Sequence, residues 1–142
     1  MENSKKISVG YLREALANLD ETGIIEVISS FQLPLYKSEN TLTFQELLEA
    51  ITVSHGVSLE QLRSENKKQT LVFCRMVFSY YLSSWGWKHG TIAAVIGKDR
   101  STISWQVRQY AILTKCNSAF RSFARTIADN LNQIHQSGKH NL

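Results

Sequence analysis

A chain of 142 residues with 43% apolar and 10% aromatic residues is sized and composed for one folded domain with a sizeable core, which excludes a disordered chain. No apolar run approaches the ~20 residues of a membrane-spanning helix, and "MENSKKISVGYLREAL" holds no signal-type apolar segment, so a cytoplasmic protein with no membrane contact is expected. The net charge of +4 hides an asymmetry: residues 1–63 carry five basic and nine acidic side chains and residues 64–125 carry ten and two, a block that either meets a polyanion such as nucleic acid or is a solvated face.

Strand-like alternation is nearly absent and helical spacing recurs, so the expected fold class is all-α, a helical bundle. Val9, Leu12, Leu16 and Leu19 recur every three or four residues and predict a first helix. "ETGIIEVISSF" continues with Ile24, Ile28 and Phe31 until Pro34, the single proline, forbids further helix. Its β-branched content leaves a short strand as the alternative. "KSENTLT" reads as a polar linker that ends in a helix start: Thr43 with Glu46 three residues later forms a capping box, Phe44, Leu47, Leu48 and Ile51 make one apolar face, and Gly56 stops the helix. "VSLEQLRS" predicts a short helix capped by Ser58, and "ENKKQT" a polar basic loop. A longer helix follows, in which Leu71, Val72, Met76, Leu82 and either Phe78 or Tyr80 face a core. "WGWKHG" breaks it. Two more helices are expected around "GKDR", over Thr91–Ile96 and from Ser101 to Thr114. Phe120, Phe123, Ile127, Leu131 and Ile134 define a last amphipathic helix. The chain thus divides into an acidic N-terminal helical extension, 1–40, a helical domain, 41–136, and a disordered tail, 137–142.

The densest chemistry lies in "TIAAVIGKDRSTISWQV". Ala93 four residues before Gly97, and Ile103 six after it, have the spacing of two helices crossing at a tight turn. That turn needs a small residue at the contact, a glycine able to take positive φ, and a β-branched residue plugged into the core. Ile92, Ile96, Ile103 and Val107 are then the buried set. Lys98, Arg100, Ser101, Thr102, Ser104 and Trp105 are left around the turn and the start of the second helix, where a helix-turn-helix meets bases and phosphates. Asp99 either caps that helix or accepts from a cytosine amino group. Trp105, offset from the Ile103 and Val107 face, either contacts deoxyribose or thymine methyl groups or seals the last helix on the bundle. A plain helical hairpin with a glycine turn is the competing reading of the pattern.

"GKDRSTISWQVR" is similar to a family signature: a glycine, a basic residue, Asp, His, Ser or Thr, Thr, Val, then a helix ending in a basic residue. "FQELLEAITVSHGVSLEQLRS" resembles the first two helices of the same family, "ENKKQ" stands at its basic loop, and "RMVFSYYL" is similar to its "ARQIAMYL" helix. Over residues 43–113 the chain therefore resembles the C-terminal DNA-binding domain of the bacterial chromosomal replication initiator DnaA, a Trp-repressor-like helix-turn-helix. The resemblance implies that Lys98 meets a phosphate or base, and that Asp99, Ser101 and Thr102 read the major groove and hold phosphates. It also implies that Lys67 and Lys68 reach toward the minor groove while Lys88 touches the backbone. Arg100 replaces the family's histidine, the loop lacks arginine, Arg75 is one position out of register, and a single Gly97 stands for the usual double glycine.

No G-x-x-x-x-G-K-[ST] loop occurs, so the nucleotide-binding motor of a replication initiator is not expected in this chain. The four histidines are scattered, Cys74 and Cys116 are far apart, and no nucleophile–base or paired-carboxylate arrangement stands out. No cofactor, metal or catalysis is expected. Trp85, Trp87, Tyr80 and Tyr81 fit core and hinge packing better than stacking on single-stranded bases. The expected function is sequence-specific binding of double-stranded DNA by a nucleoid-associated protein. Lys67, Lys68, Lys88, Lys98, Arg100 and Arg108 would supply phosphate affinity, and Asp99 to Trp105 would discriminate bases. Transcription regulation, origin binding in DNA replication and service to a mobile element are equally compatible roles. A protein–protein adaptor with a solvated basic face is the competing reading. The extension, with Glu14, Asp20, Glu21 and Glu26, is expected to pack on the domain, with self-association or a protein partner as its alternatives.

Overall fold

The computed structural model describes residues 43–140, with side chains to residue 137, and residues 14, 16, 17, 19, 20 and 22–24 of the N-terminal segment. The predicted apolar repeats at Val9, Leu12, Ile28 and Phe31, the stop at Pro34, the linker before Thr43 and the last two residues lie outside the described residues. Among the described residues from 43 onward six helices follow in order: α1 Phe44–His55, α2 Leu59–Arg63, α3 Gln69–Ser84, α4 His89–Ile96, α5 Arg100–Cys116 and α6 Ser118–His140. No strand occurs among the described residues, and the fold is an all-α bundle.

Local chemistry sets the helix ends. The Thr43 hydroxyl accepts from the Glu46 amide and the Glu46 carboxylate accepts from the Thr43 amide, both at 3.1 Å, so the first turn of α1 satisfies two donors reciprocally. Gly56 ends α1 in the left-handed region at φ 70° and returns its N–H to the Thr52 carbonyl. Ser58 and Gln61 repeat the capping box on α2. Gly97, at φ 66°, ends α4, and Asp99 stands at the N-cap of α5. The turn expected around "GKDR" is therefore present but has three residues, 97–99, with α4 beginning two residues earlier and α5 one residue earlier than the apolar spacing predicts.

The axis of the bundle is α3. Six consecutive residues, Cys74 to Ser79, are buried, a pattern that requires partners on all sides, and α3 contacts each of the other five helices. Leu71, Met76, Phe78 and Leu82 are buried as expected, with Val72 and Tyr80 half-buried. Antiparallel α1 and α6 are joined by a polar seam. His135 Nδ1 lies 3.2 Å from the Glu46 carboxylate, Asn130 donates to the Ser54 hydroxyl at 2.7 Å, and the His55 ring stacks on Phe123 at 3.6 Å. Trp85 and Trp87 are core residues; Trp87 stacks on Phe44 at 5.9 Å, and Phe44 meets Phe78 edge-on. Ile92, Ala93, Ile96 and Ile103 are buried at the α4–α5 contact, while Val107 is half-buried against the core.

Two expectations change. Leu19, assigned to a buried face, is 39% exposed, whereas Leu16 and Ile24 belong to the main core. The cause is Asp20, whose carboxylate accepts from the Gly23 amide at 2.9 Å and starts a new helical turn, so the phase set by Leu16 does not carry through. At the other end the backbone of α6 is helical through His140, past residue 136, where a disordered tail is expected. The long packed stretch from Phe120 to Ile134 serves as a nucleus from which helix propagates.

Candidate functional site

In 17 residues α5 fully buries only Ile103 and Gln106. Val107, Tyr110 and Leu113 pack partly on the core, and the opposite face is open. Along it Ser101, Trp105, Arg108, Ile112 and Lys115 recur every three or four residues, all exposed, forming one stripe on a helix about 25 Å long. Trp105 and Ile112 are 45% and 51% exposed. The alternative in which Trp105 seals α6 is therefore not adopted, because the ring sits on the outer face. Two contacts hold α5 at a set rotation about its axis. The Ser79 hydroxyl donates to Gln106 Oε1 at 2.6 Å in the interior, and Tyr110 stacks on Tyr80 at 3.8 Å.

Three segments flank the start of α5. The first is its own turn, where Asp99 has extended backbone at the N-cap but makes no side-chain cap hydrogen bond. The capping alternative for Asp99 is thus not realised, and its carboxylate stands exposed beside Arg100 and Ser101. The second is the start of α4. His89 Nδ1 lies 2.8 Å from the Ser104 hydroxyl and Nε2 lies 3.2 Å from the Ser83 hydroxyl, so one ring joins the end of α3, the start of α4 and the second turn of α5. Ser104 is half-buried in this link, as is Thr102 nearer the turn, and Lys88 at the N-cap of α4 is exposed next to His89. The third is the loop between α2 and α3, where Lys67 and Lys68 are exposed; the Asn66 side chain accepts from the Lys68 amide at 2.8 Å and stiffens it.

Lys98 lies between the turn and that loop and is directed inward. Its ammonium donates to the Ser64 carbonyl at 2.6 Å and to the Arg63 carbonyl at 3.4 Å, with the Glu65 carboxylate at 3.9 Å. Burial lowers its pKa first, and Arg75, Arg63 and Lys67 lower it further against the opposing pull of Glu65. Arg75 is a buried cation of α3 that donates to the carbonyls of Leu62, Gln61 and Ser64 at 2.9, 3.1 and 2.9 Å. It gathers three carbonyls at the C-terminal end of α2, of which that of Gln61 also accepts from the Ser64 amide and hydroxyl.

The structure therefore gathers Lys67, Lys68, Lys88, Lys98, Asp99, Arg100, Ser101, Thr102, Ser104, Trp105 and Arg108 around the first half of α5. Exposed groups are Lys67, Lys68, Lys88, Asp99, Arg100, Ser101, Trp105 and Arg108; Lys98, Thr102 and Ser104 are partly enclosed. Sequence reasoning missed Arg63, His89 and Gln106, which hold these side chains in place, and gave Arg75 no such role. Arg75 had a signal, being the one charge in the run "LVFCRMVFSYYL". His89 had none, because its partners are six and fifteen residues away. Among the described residues no cluster of His, Cys, Asp and Glu could hold a metal, and no helix is long and apolar enough to cross a membrane. The chain matches no protein-family model, no curated protein and no solved structure.

Proposed function

We propose that this protein binds double-stranded DNA, laying the first half of α5 in the major groove. The carrying observation is the exposed stripe of α5, on which Ser101, Trp105 and Arg108 follow Arg100, flanked by the exposed Lys67, Lys68 and Lys88 with Asp99 the one acid of the α5 turn. An α-helix fits the major groove, hydroxyls and a guanidinium there bond base edges and phosphates, and an indole face packs on deoxyribose or thymine methyl groups. The likeness of "GKDRSTISWQVR" to the DnaA signature supports the same reading. Arg100 and Arg108 contribute phosphate or guanine contacts, Lys67, Lys68 and Lys88 hold the backbone on either side, and Ser101 with Asp99 discriminates bases. No chemical step is assigned to the site.

The test is affinity for random duplex at rising salt, followed by selection of bound sites from a randomised pool at about 150 mM salt. With about six phosphate contacts, the logarithm of affinity falls against the logarithm of salt with a slope near −5. Arg108→Ala is expected to reduce that slope by about one, whereas Ser101→Ala changes the preferred site and leaves the slope alone. Absence of binding at low salt would overturn the reading and turn the stripe into a surface for a protein partner.

A further inference from the structure

Around the turn before α5 the ends of two helices are tied together in both directions. Lys98, just after α4, donates to the carbonyls of Arg63 and Ser64 at the end of α2. Arg63, the last residue of α2, donates in return to the Val95 carbonyl near the end of α4. The Ser64 carbonyl also accepts from Arg75, so the residue at which the basic loop begins is held from the turn and from α3 at once. Only three residues separate Ser64 from Lys68, and the loop between them is braced by the Asn66 amide on the Ser64 hydroxyl and the Lys68 amide on the Asn66 side chain. Holding Ser64 therefore sets where Lys67 and Lys68 stand relative to Arg100.

We infer that Lys98 is a positioning residue, which latches the loop of residues 64–68 to the α4–α5 turn so that Lys67 and Lys68 meet the duplex at a set offset from Arg100 and Arg108. The inference rests on the duplex-binding reading above and departs from it on one point: the most enclosed lysine of the site acts through the loop instead of through a phosphate. The physical gain is preorganisation. A loose basic loop loses backbone and side-chain freedom when it binds, whereas a latched one has lost that freedom on folding. The latch uses the favourable meeting of a cation with a helix C-terminus, since the carbonyls it engages carry the negative end of α2. It also concentrates positive charge, because Arg63, Arg75, Lys67 and Lys98 share this corner with Glu65. That charge makes the corner attractive to DNA without requiring the Lys98 ammonium to leave its carbonyls.

The experiment combines K98M, which keeps the aliphatic stem and loses the ammonium, with K98R and K67A in the full chain. Hydrogen exchange of the amides of residues 65–68 is followed in the free protein, and duplex affinity in the double-mutant cycle. K98M is expected to speed exchange in the loop about tenfold while exchange in α3 is unchanged, with K98R restoring protection. K67A is expected to weaken duplex binding about fivefold in the wild-type chain and less than about twofold in K98M, since a loop already loose no longer delivers Lys67. Unchanged loop exchange, or equal effects of K67A in both backgrounds, would overturn the latch and make Lys98 a phosphate contact in its own right. If the wild-type chain does not bind duplex, the DNA reading fails, and the exchange arm still decides whether Lys98 holds the loop.

Discussion

Arg75 shows how much one side chain decides in this bundle. Its guanidinium is buried, with desolvation lowering its pKa and a second cation, Lys98, next to it, yet three backbone carbonyls accept from it. Hydrogen bonds to a charged group are worth about 1.5–3 kcal/mol each, and buried carbonyls left open are penalised, so the bonds outweigh burial and repulsion. Arg75→Met is expected to lose about 2 kcal/mol of stability in urea unfolding at pH 7; a loss under about 0.5 kcal/mol would mean that relief of repulsion balances the bonds. Beside it, burial pushes the Cys74 thiol up from its ordinary 9.0 to about 12, with Arg75 pulling the other way, while Cys116 is exposed. A thiol reagent at pH 8 should modify Cys116 alone in the native protein and both cysteines in denaturant. The raised pKa has a stability consequence with a defined sign. The folded state holds the proton more tightly than the unfolded state, so this contribution is complete below pH 9.0 and is lost as pH rises toward 12. Tyr110, pushed from 10.0 to about 12 by burial, adds to the loss above pH 10.0. Thermal melts from pH 9 to 10 should therefore decline more steeply in the wild-type chain than in Cys74→Ala.

Among the elements, the α4–turn–α5 unit depends on Gly97. At φ 66° an L residue is strained, while a Cβ there would meet only the Arg63 guanidinium at 3.8 Å, an ordinary contact. Gly97→Ala is thus expected to be destabilised by conformation alone, about 1 kcal/mol, and Gly97→Asn by less, because Asn tolerates the left-handed region. Equal unfolding midpoints for Gly97→Ala and the wild-type chain would show that the turn relaxes to another backbone. Much of this level is legible in the chain. Thr43 with Glu46, Gly56, Ser58 and Gly97 each act on backbone within four residues, so the helix boundaries at these residues follow from the string of letters, whereas the uncapped starts of α4 and α5 do not. Leu19 is the instructive exception. Its spacing from Leu16 fits a helix, but the Asp20 carboxylate competes locally for the Gly23 amide and turns the chain before the repeat can continue.

At the scale of the whole molecule, two described residues of the acidic segment belong to the core of the basic block. Leu16 and Ile24 have 0% and 1% exposure and belong to the same cluster as Phe78, Ile92 and Phe120, and Leu19, Asp20 and Ile24 line a cleft with Leu59, Glu60 and Arg63 of α2. Removing a fully buried Leu side chain costs about 3 kcal/mol from lost transfer energy and the cavity left behind. Leu16→Ala in the full chain is therefore expected to lower stability by about that amount with duplex affinity unchanged. A shift within about 0.5 kcal/mol would show that the segment is only tethered to the bundle.

The sequence by itself determined the all-α class, the order of the described helices, the caps at Thr43 and Ser58, the glycine turn and the concentration of hydroxyl and basic residues around it, because these rest on spacings and capping chemistry that act over a few residues. Tertiary structure alone decided that α3 is buried on all sides, that α6 runs antiparallel to α1, that His89 ties Ser83 to Ser104 and that the Lys98 ammonium turns inward onto the end of α2. Each of those outcomes joins residues that lie far along the chain from one another or faces several partners at once. Which side of a helix is covered, and which of several lysines stays in water, is settled only when the other helices arrive.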